Sequence, residues 1–246
     1  MSENGTRGII IKQSDYGEGH RMLSIFTENA GIIKAVSYGA KKLKSRQAAS
    51  SQVLCWGEFE LYESGRDICT LKNVNVIDGF FPISEDIKKL ALCTYLFDIT
   101  YAMLGEGNPD DRLLKVLLNS LYALAYRDED IMKVKSVYEL KLMSIEGYEP
   151  HIINCGVCGS NKLRAFDAEK GCVVCGDCAT NASVVLSESV YRALQYIVRS
   201  PDKKMLSFTG NDVLFERLGE ISEKYLLTHI DRSFLSLDYF KAITMF

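Results

Sequence analysis

Five cysteines fall within 24 residues of this 246-residue chain: Cys155, Cys158, Cys172, Cys175 and Cys178. Clustered thiols in a reducing compartment more often hold a metal than form disulfides. Cys155, Cys158, Cys175 and Cys178 give the spacing C-x2-C-x16-C-x2-C, which lies in the range of a four-cysteine zinc ribbon. Two residues between paired cysteines let the chain turn tightly, so both thiolates reach one face of a tetrahedral ion at about 2.3 Å. Glycines follow Cys158 and Cys175, at Gly159 and Gly176, and allow the backbone angles that such knuckles favour. Pairing Cys172 with Cys175 is the competing choice, and it leaves 13 residues between the pairs. The expected ion is one structural Zn2+, with Cys172 spare. A rubredoxin-like iron site would use the same knuckles, and a thioredoxin-type redox pair lacks the surrounding βαβ pattern. Four thiolates close the coordination sphere, which argues against catalytic zinc. Cys55, Cys69 and Cys93 stand alone in apolar stretches and read as small core hydrophobes.

The first 80 residues read as strands. Apolar runs at 7–12, 22–27 and 31–38 are followed by an alternating stretch at 53–62 and another at 68–77. In the fourth, Cys55, Phe59 and Leu61 face one way and Trp56, Glu58 and Glu60 the other. Period-two patterning broken by Gly, Asn and Asp gives five antiparallel strands. The longest gap, residues 39–52, separates strands three and four, which suits an OB-fold barrel. An SH3-like barrel fits the periodicity nearly as well.

After Pro82 the period becomes helical. Ser84 is the expected cap of a first helix running to about Leu104, with Glu85 and Asp86 in its first turn. Pro109 within Asn108–Asp111 starts a second helix, and a third carries Ile131, Val134, Tyr138, Leu142 and Ile145 before Gly147 stops it. Ser187 and Asn211 cap two further helices beyond the cysteines. The fold class is therefore α+β: a five-stranded OB barrel over 1–80, then a helical domain over 81–150 and 183–246. The four-cysteine ribbon is inserted in that helical domain over 151–182.

Lys and Arg number 29 against 32 Asp and Glu, so a nucleic acid would have to be met by a local patch. Such a patch exists. The first 50 residues hold eight basic and four acidic groups, net +4, which leaves −7 for the rest. Lys34, Lys41, Lys42, Lys44 and Arg46 fall in one stretch without an acid. A lysine-rich loop is by default a solvated surface. Its place within an OB barrel, beside Tyr16, His20, Tyr38 and Trp56, turns the reading toward phosphate attraction and base stacking. Phe26 and Phe59 read as barrel core. There is no P-loop, no dinucleotide fingerprint, no nucleophile elbow and no zinc-protease motif, so a binding protein is expected rather than an enzyme. No run approaches 18 apolar residues and no secretion signal opens the chain, so the expectation is a cytoplasmic protein without membrane contact.

Several stretches carry a family likeness. They are Arg7-Gly8-Ile9-Ile10-Ile11 with Asp15-Tyr16-Gly17-Glu18; His20-Arg21 on to Leu23, Phe26-Thr27 and Gly31; and Gly39-Ala40-Lys41-Lys42 with Lys44-Ser45-Arg46. Gly147-Tyr148-Glu149-Pro150 leads into the first cysteine pair, Phe166 and Gly171 fit the hairpin between the pairs, and His229-Ile230-Asp231-Arg232 with Leu235-Ser236 closes the chain. In this order they resemble the RecO family of bacterial recombination mediators and DNA repair proteins. Cys172 departs from the pattern, standing where a small residue is commoner. The resemblance implies a non-enzymatic, nucleoid-associated protein that binds single- and double-stranded DNA and anneals complementary strands. With RecR it would help load RecA onto strands coated by single-stranded-DNA-binding protein, in functional linkage with RecF. It also implies that Arg21, Lys34, Lys41, Lys42, Lys44 and Arg46 position phosphates, and that the helical region docks partner proteins. Two other readings stay open: an RNA- or transcription-associated OB and zinc-ribbon factor, and a metal-dependent nucleic-acid-processing enzyme.

Overall fold

The computed structural model describes residues 3–41, 50–62 and 68–244. Lys42, Lys44 and Arg46 of the basic stretch, and the turn expected at 63–67, lie outside the described residues. The chain divides into two compact units, residues 1–114 and 115–246.

The first unit is built on five strands: β1 (Glu3–Tyr16), β2 (His20–Thr27), β3 (Gly31–Ser37), β4 (Trp56–Tyr62) and β5 (Ile68–Asp78). They close in the order β1-β2-β3-β5-β4, with β4 returning to β1. All pairings are antiparallel except β3 with β5, where Lys34 to Val36 run parallel to Ile68 to Thr70. This closed five-strand topology is the OB-fold. β1 can serve two neighbours because it is long: Glu3–Ile9 pairs with β4, and Gly8–Tyr16 pairs with β2 through a bulge between Ile10 and Lys12. The interior is Ile10, Leu23, Ile25, Ala35, Cys55, Phe59, Leu61 and Leu71, every one buried. The expected alternation in β4 holds, with Phe59 and Leu61 inward and Glu60 exposed. Phe26 is also fully buried.

A single helical turn, Phe81–Ser84, precedes α1 (Ile87–Leu104). Ser84 therefore ends that turn, and Asp86 caps α1 instead, accepting from the amides of Lys88 and Lys89 at 2.8 and 3.2 Å. The helix starts where a side-chain oxygen can reach two orphan amides, and Phe80, at φ 46, has already turned the chain. α1 packs on β1 and β3. α2 (Asp111–Tyr126) is entered through Asp110, which accepts from the amide of Leu113 at 2.7 Å, so Pro109 lies just outside the helix.

In the second unit, α3 (Ile131–Ile145) is the central helix, and α4 (Glu188–Arg199) and α5 (Asp212–His229) pack against it. Asp130, Ser187 and Asn211 cap these three, each accepting from the amide three residues on. A further helix, α6 (Leu235–Thr244), extends the chain beyond the last helix that periodicity indicates. α3 has no solvent face: every residue from Lys133 to Met143 is buried, four charged ones among them. Between α3 and α4 lies a small antiparallel sheet, β6 (Leu163–Asp167) flanked by β7 (Cys172–Cys175) and β8 (Val184–Val185). Among the described residues, no helix is long and apolar enough to cross a membrane.

Candidate metal centre and nucleic-acid face

The four-cysteine group is assembled from two knuckles at the ends of the β6–β7 hairpin. In the first, the amide of Gly159 donates to the carbonyl of Cys155 at 2.8 Å, and the amide of Cys155 donates to Ser160 at 2.8 Å. Gly159 takes φ 75, a left-handed angle that a side chain would oppose. In the second, the amide of Ala179 donates to the carbonyl of Cys175 at 3.0 Å across the 3-10 turn Gly176–Cys178. Gly176 adopts no left-handed angle, so only the first knuckle needs its glycine for that reason.

The sulfurs of Cys155, Cys158, Cys175 and Cys178 all lie within 4.8 Å of one another, with Cys158 and Cys175 3.6 Å apart. Four thiolates on a tetrahedral ion at 2.3 Å would sit about 3.8 Å apart, so the group has the dimensions to hold one metal ion. The backbone amide of Cys175 beside the Cys155 sulfur brings that thiol down to about 6. Hydrogen bonding to Cys175 and Cys158 pushes Cys178 up to about 12. Thiols must shed their protons to ligate, so a metal ion arriving at this group would release protons.

Cys172 stays out of this group. It begins β7, so Cys172 and Cys175 are joined by extended chain paired with β6, not by the tight turn a knuckle requires. Its sulfur is packed against Gly156, where even a single added carbon would approach to 2.6 Å. Burial pushes its thiol up. Cys55 and Cys93 are buried, and burial raises the Cys55 thiol to about 11. Both behave as core residues.

The second group lies on the barrel. At the β1–β2 hairpin, Tyr16 pairs with His20 and Asp15 with Arg21, and Arg21 pairs in turn with Ser37 of β3. The segment after β3 folds back on this hairpin. His20 Nδ1 accepts from the amide of Gly39 at 2.9 Å, the amide of Lys41 donates to Gly19 at 3.2 Å, and the His20 and Tyr38 rings meet edge to face at 4.9 Å. Tyr16 and Tyr38 are exposed, whereas Trp56 is half-buried on β4. Arg21 is half-buried too, and its Nη1 has no hydrogen-bond partner among the described residues. Two described lysines carry carboxylates: Lys41 Nζ lies 2.5 Å from Asp15, and Lys34 Nζ lies 2.6 Å from Glu106. The sequence gives no hint of Glu106, because it comes from the loop after α1. Nor does it hint at Lys12 Nζ of β1 over the Tyr101 ring of α1, 5.5 Å from its centre.

Comparison with known proteins covers both units. Residues 1–80 match the family model described as Recombination protein O N terminal, and residues 84–238 match Recombination protein O C terminal. The DNA repair protein RecO of Acetivibrio thermocellus is 34% identical over 242 residues, covering 97% of this chain and 96% of that protein. The RecO proteins of Oceanobacillus iheyensis and Alkaliphilus metalliredigens are 33% and 29% identical, covering 92% and 97% of this chain and 86% and 98% of their own lengths.

Proposed function

Because the chain belongs to the RecO family and so has a role in DNA repair and recombination, we propose that it is a DNA-binding recombination mediator and not an enzyme. It binds single- and double-stranded DNA, anneals complementary strands and, with RecR, helps load RecA onto strands coated by single-stranded-DNA-binding protein. Residues 1–80 act as the DNA-binding domain. The helical parts, 81–150 and 183–246, receive protein partners, and one structural zinc holds the 151–182 insert through Cys155, Cys158, Cys175 and Cys178. Its place of work is the nucleoid.

The observation that carries this reading is one end of the OB barrel. Arg21 and Lys41 are brought to the hairpin that carries the exposed rings of Tyr16 and Tyr38, Lys34 lies further along β3 opposite Ser24, and Lys42, Lys44 and Arg46 follow Lys41 in the sequence. Cations track phosphates and aromatic faces accept bases, so such an end suits a single strand without regard to sequence. Four thiolates leave a metal no open position, so the centre fixes structure and does no chemistry on DNA.

Salt dependence tests the barrel. Five cations on single-strand phosphates would give a slope of roughly −3.5 in log affinity against log salt. Replacing Lys41, Lys42 and Lys44 together by Ala flattens the slope by about 2 and weakens binding to all sequences alike. A folded triple variant with wild-type affinity and slope would remove the basic loop as the DNA site and leave the barrel face near Arg21 and Tyr38, or the helical domain, as the next candidates. Annealing of protein-coated strands without ATP tests the activity itself, and a preference for RNA over DNA would favour the transcription-factor reading.

A further inference from the structure

Lys34 and Tyr101 aim at the same atom. Lys34 Nζ lies 2.6 Å from Glu106 Oε1, and the Tyr101 hydroxyl donates to that same oxygen at 2.5 Å. Two donors converging on one anionic oxygen make an oxyanion site, and here the chain itself supplies the anion. The carboxylate is held there by the backbone. Glu106 forms a parallel bridge with Ile32 of β3, and the amide of Gly107 donates to Ile32 at 3.1 Å. Gly31, at φ 66, lets Asn108 approach so closely that an added carbon would sit 2.3 Å from its carbonyl oxygen. Lys12 lies over the Tyr101 ring and adds positive potential beside the site. The hydrogen bonds of Lys34 and Tyr101 hold the Glu106 carboxyl below its usual range.

We propose that Lys34 and Tyr101 form a phosphate subsite of the DNA interface, and that Glu106 is its built-in competitor, standing where a phosphate oxygen of the strand goes. The inference rests on the barrel being the DNA-binding surface. Lys34 and Glu106 are 38% and 47% exposed, and an exposed pair of this kind shifts an equilibrium by no more than about fivefold. A strand that gains several phosphate contacts and releases counterions displaces it. Asp15 on Lys41 repeats the arrangement at a second cation. The barrel is therefore poised to admit DNA only where several phosphates arrive together.

The test uses the full-length protein and a labelled oligothymidylate. Glu106→Gln keeps the shape and removes the charge. It should raise affinity about two- to fivefold and steepen the salt slope by about 0.7. Tyr101→Phe should lower affinity in the Glu106→Gln background and change little in the wild type. Glu106→Asp, too short to reach both donors, should give part of the gain and guards against a folding defect in the first variant. A folded Glu106→Gln protein with wild-type affinity and slope overturns the proposal. So does a gain that persists when Lys34 is also replaced by Gln, since that would be a general effect of net charge. If the triple lysine variant weakens binding while Glu106→Gln is silent, only the competitor idea fails. If the triple variant and Lys34→Gln are silent as well, the barrel reading fails with it.

Discussion

Replacing Lys135 by Met should unfold the second unit far more readily than replacing Lys135 and Glu139 together. Lys135 Nζ lies 3.0 Å from Glu139 Oε1 and 3.0 Å from Glu223 Oε2, and the side chains of Lys135 and Glu139 are wholly buried. Glu139 also accepts from the hydroxyl of Ser222 at 2.5 Å, and Lys241 of α6 lies 2.7 Å from the other oxygen of Glu223. Two cations and two carboxylates thus balance across α3, α5 and α6. Lys135→Met leaves the Glu139 carboxyl in the core without the cation beside it, and breaking a buried pair in this way costs about 3–5 kcal/mol. For a unit of this size each kcal/mol lowers the melting temperature by about 3 °C, so the shift should be roughly 10 °C. Lys135→Met with Glu139→Met removes both charges together and leaves Glu223 paired with the more exposed Lys241. Its cost should fall to about 1 kcal/mol, because well-packed apolar substitutes often match a buried ion pair. Urea unfolding followed by helical circular dichroism, with the two single variants completing the cycle, gives the coupling. A double variant as unstable as Lys135→Met alone would refute the charge-balance argument.

The same network sets a pH limit. Burial alone would raise Glu223, but Lys135 and Lys241 outweigh it and hold its carboxyl below the usual range. That stabilisation is present above the unfolded value of about 4.3 and is lost as pH falls through the lower folded value, so Glu223→Gln should flatten the acid limb of a stability profile. At the metal centre, Cys155→Ser and Cys178→Ser should each abolish stoichiometric zinc measured by elemental analysis, whereas Cys172→Ser should retain about one ion per chain. Loss of zinc in the Cys172 variant with Cys178→Ser unaffected would reassign the pairs.

Patterns in the sequence reveal whichever parts of this fold face a single environment. The alternation of β4 is readable because Phe59 and Leu61 enter the barrel while Glu60 meets water. β1 is underestimated by its apolar run at 7–12, because the strand runs from Glu3 to Tyr16 and its second half is largely solvent-exposed beyond Ile11. α3 misleads in the opposite way. Its lysines and glutamates suggest a wet face, yet they are buried against partners that only the tertiary fold supplies, so the period hides a helix enclosed on all sides. α6 is only ten residues long, too short for its helical period to stand out. The cysteine centre is legible because metal geometry fixes the spacing along the chain. The Lys34–Glu106–Tyr101 group is illegible because it depends on the loop after α1 pairing with β3, a contact between distant segments that no local pattern encodes.

The four-cysteine insert is held to the helices by contacts that avoid its sulfurs. Its own core is small: Cys155, Ala165, Cys172, Val174 and Cys175, three of the five being cysteines. A sheet this size cannot stand alone on apolar burial. It does not have to. Phe166 of β6 meets the ring of Tyr225 on α5 edge to face at 5.4 Å, and the Tyr225 hydroxyl donates to Tyr148 at 2.9 Å, ahead of the first knuckle. Tyr191 of α4 donates to Ile152 at 3.0 Å, and Lys224 of α5 donates to Ala182 at 2.5 Å, beyond the second. These contacts hold the two ends of the insert and the middle of its hairpin to the helices. None of them reaches residues 155–161 or 175–179, which carry the four sulfurs. A metal ion held by the four cysteines would therefore act where these contacts do not. It would fix the two tight turns, and with them the exposed side chain of Val157, while the helices are held by their own packing and buried charges.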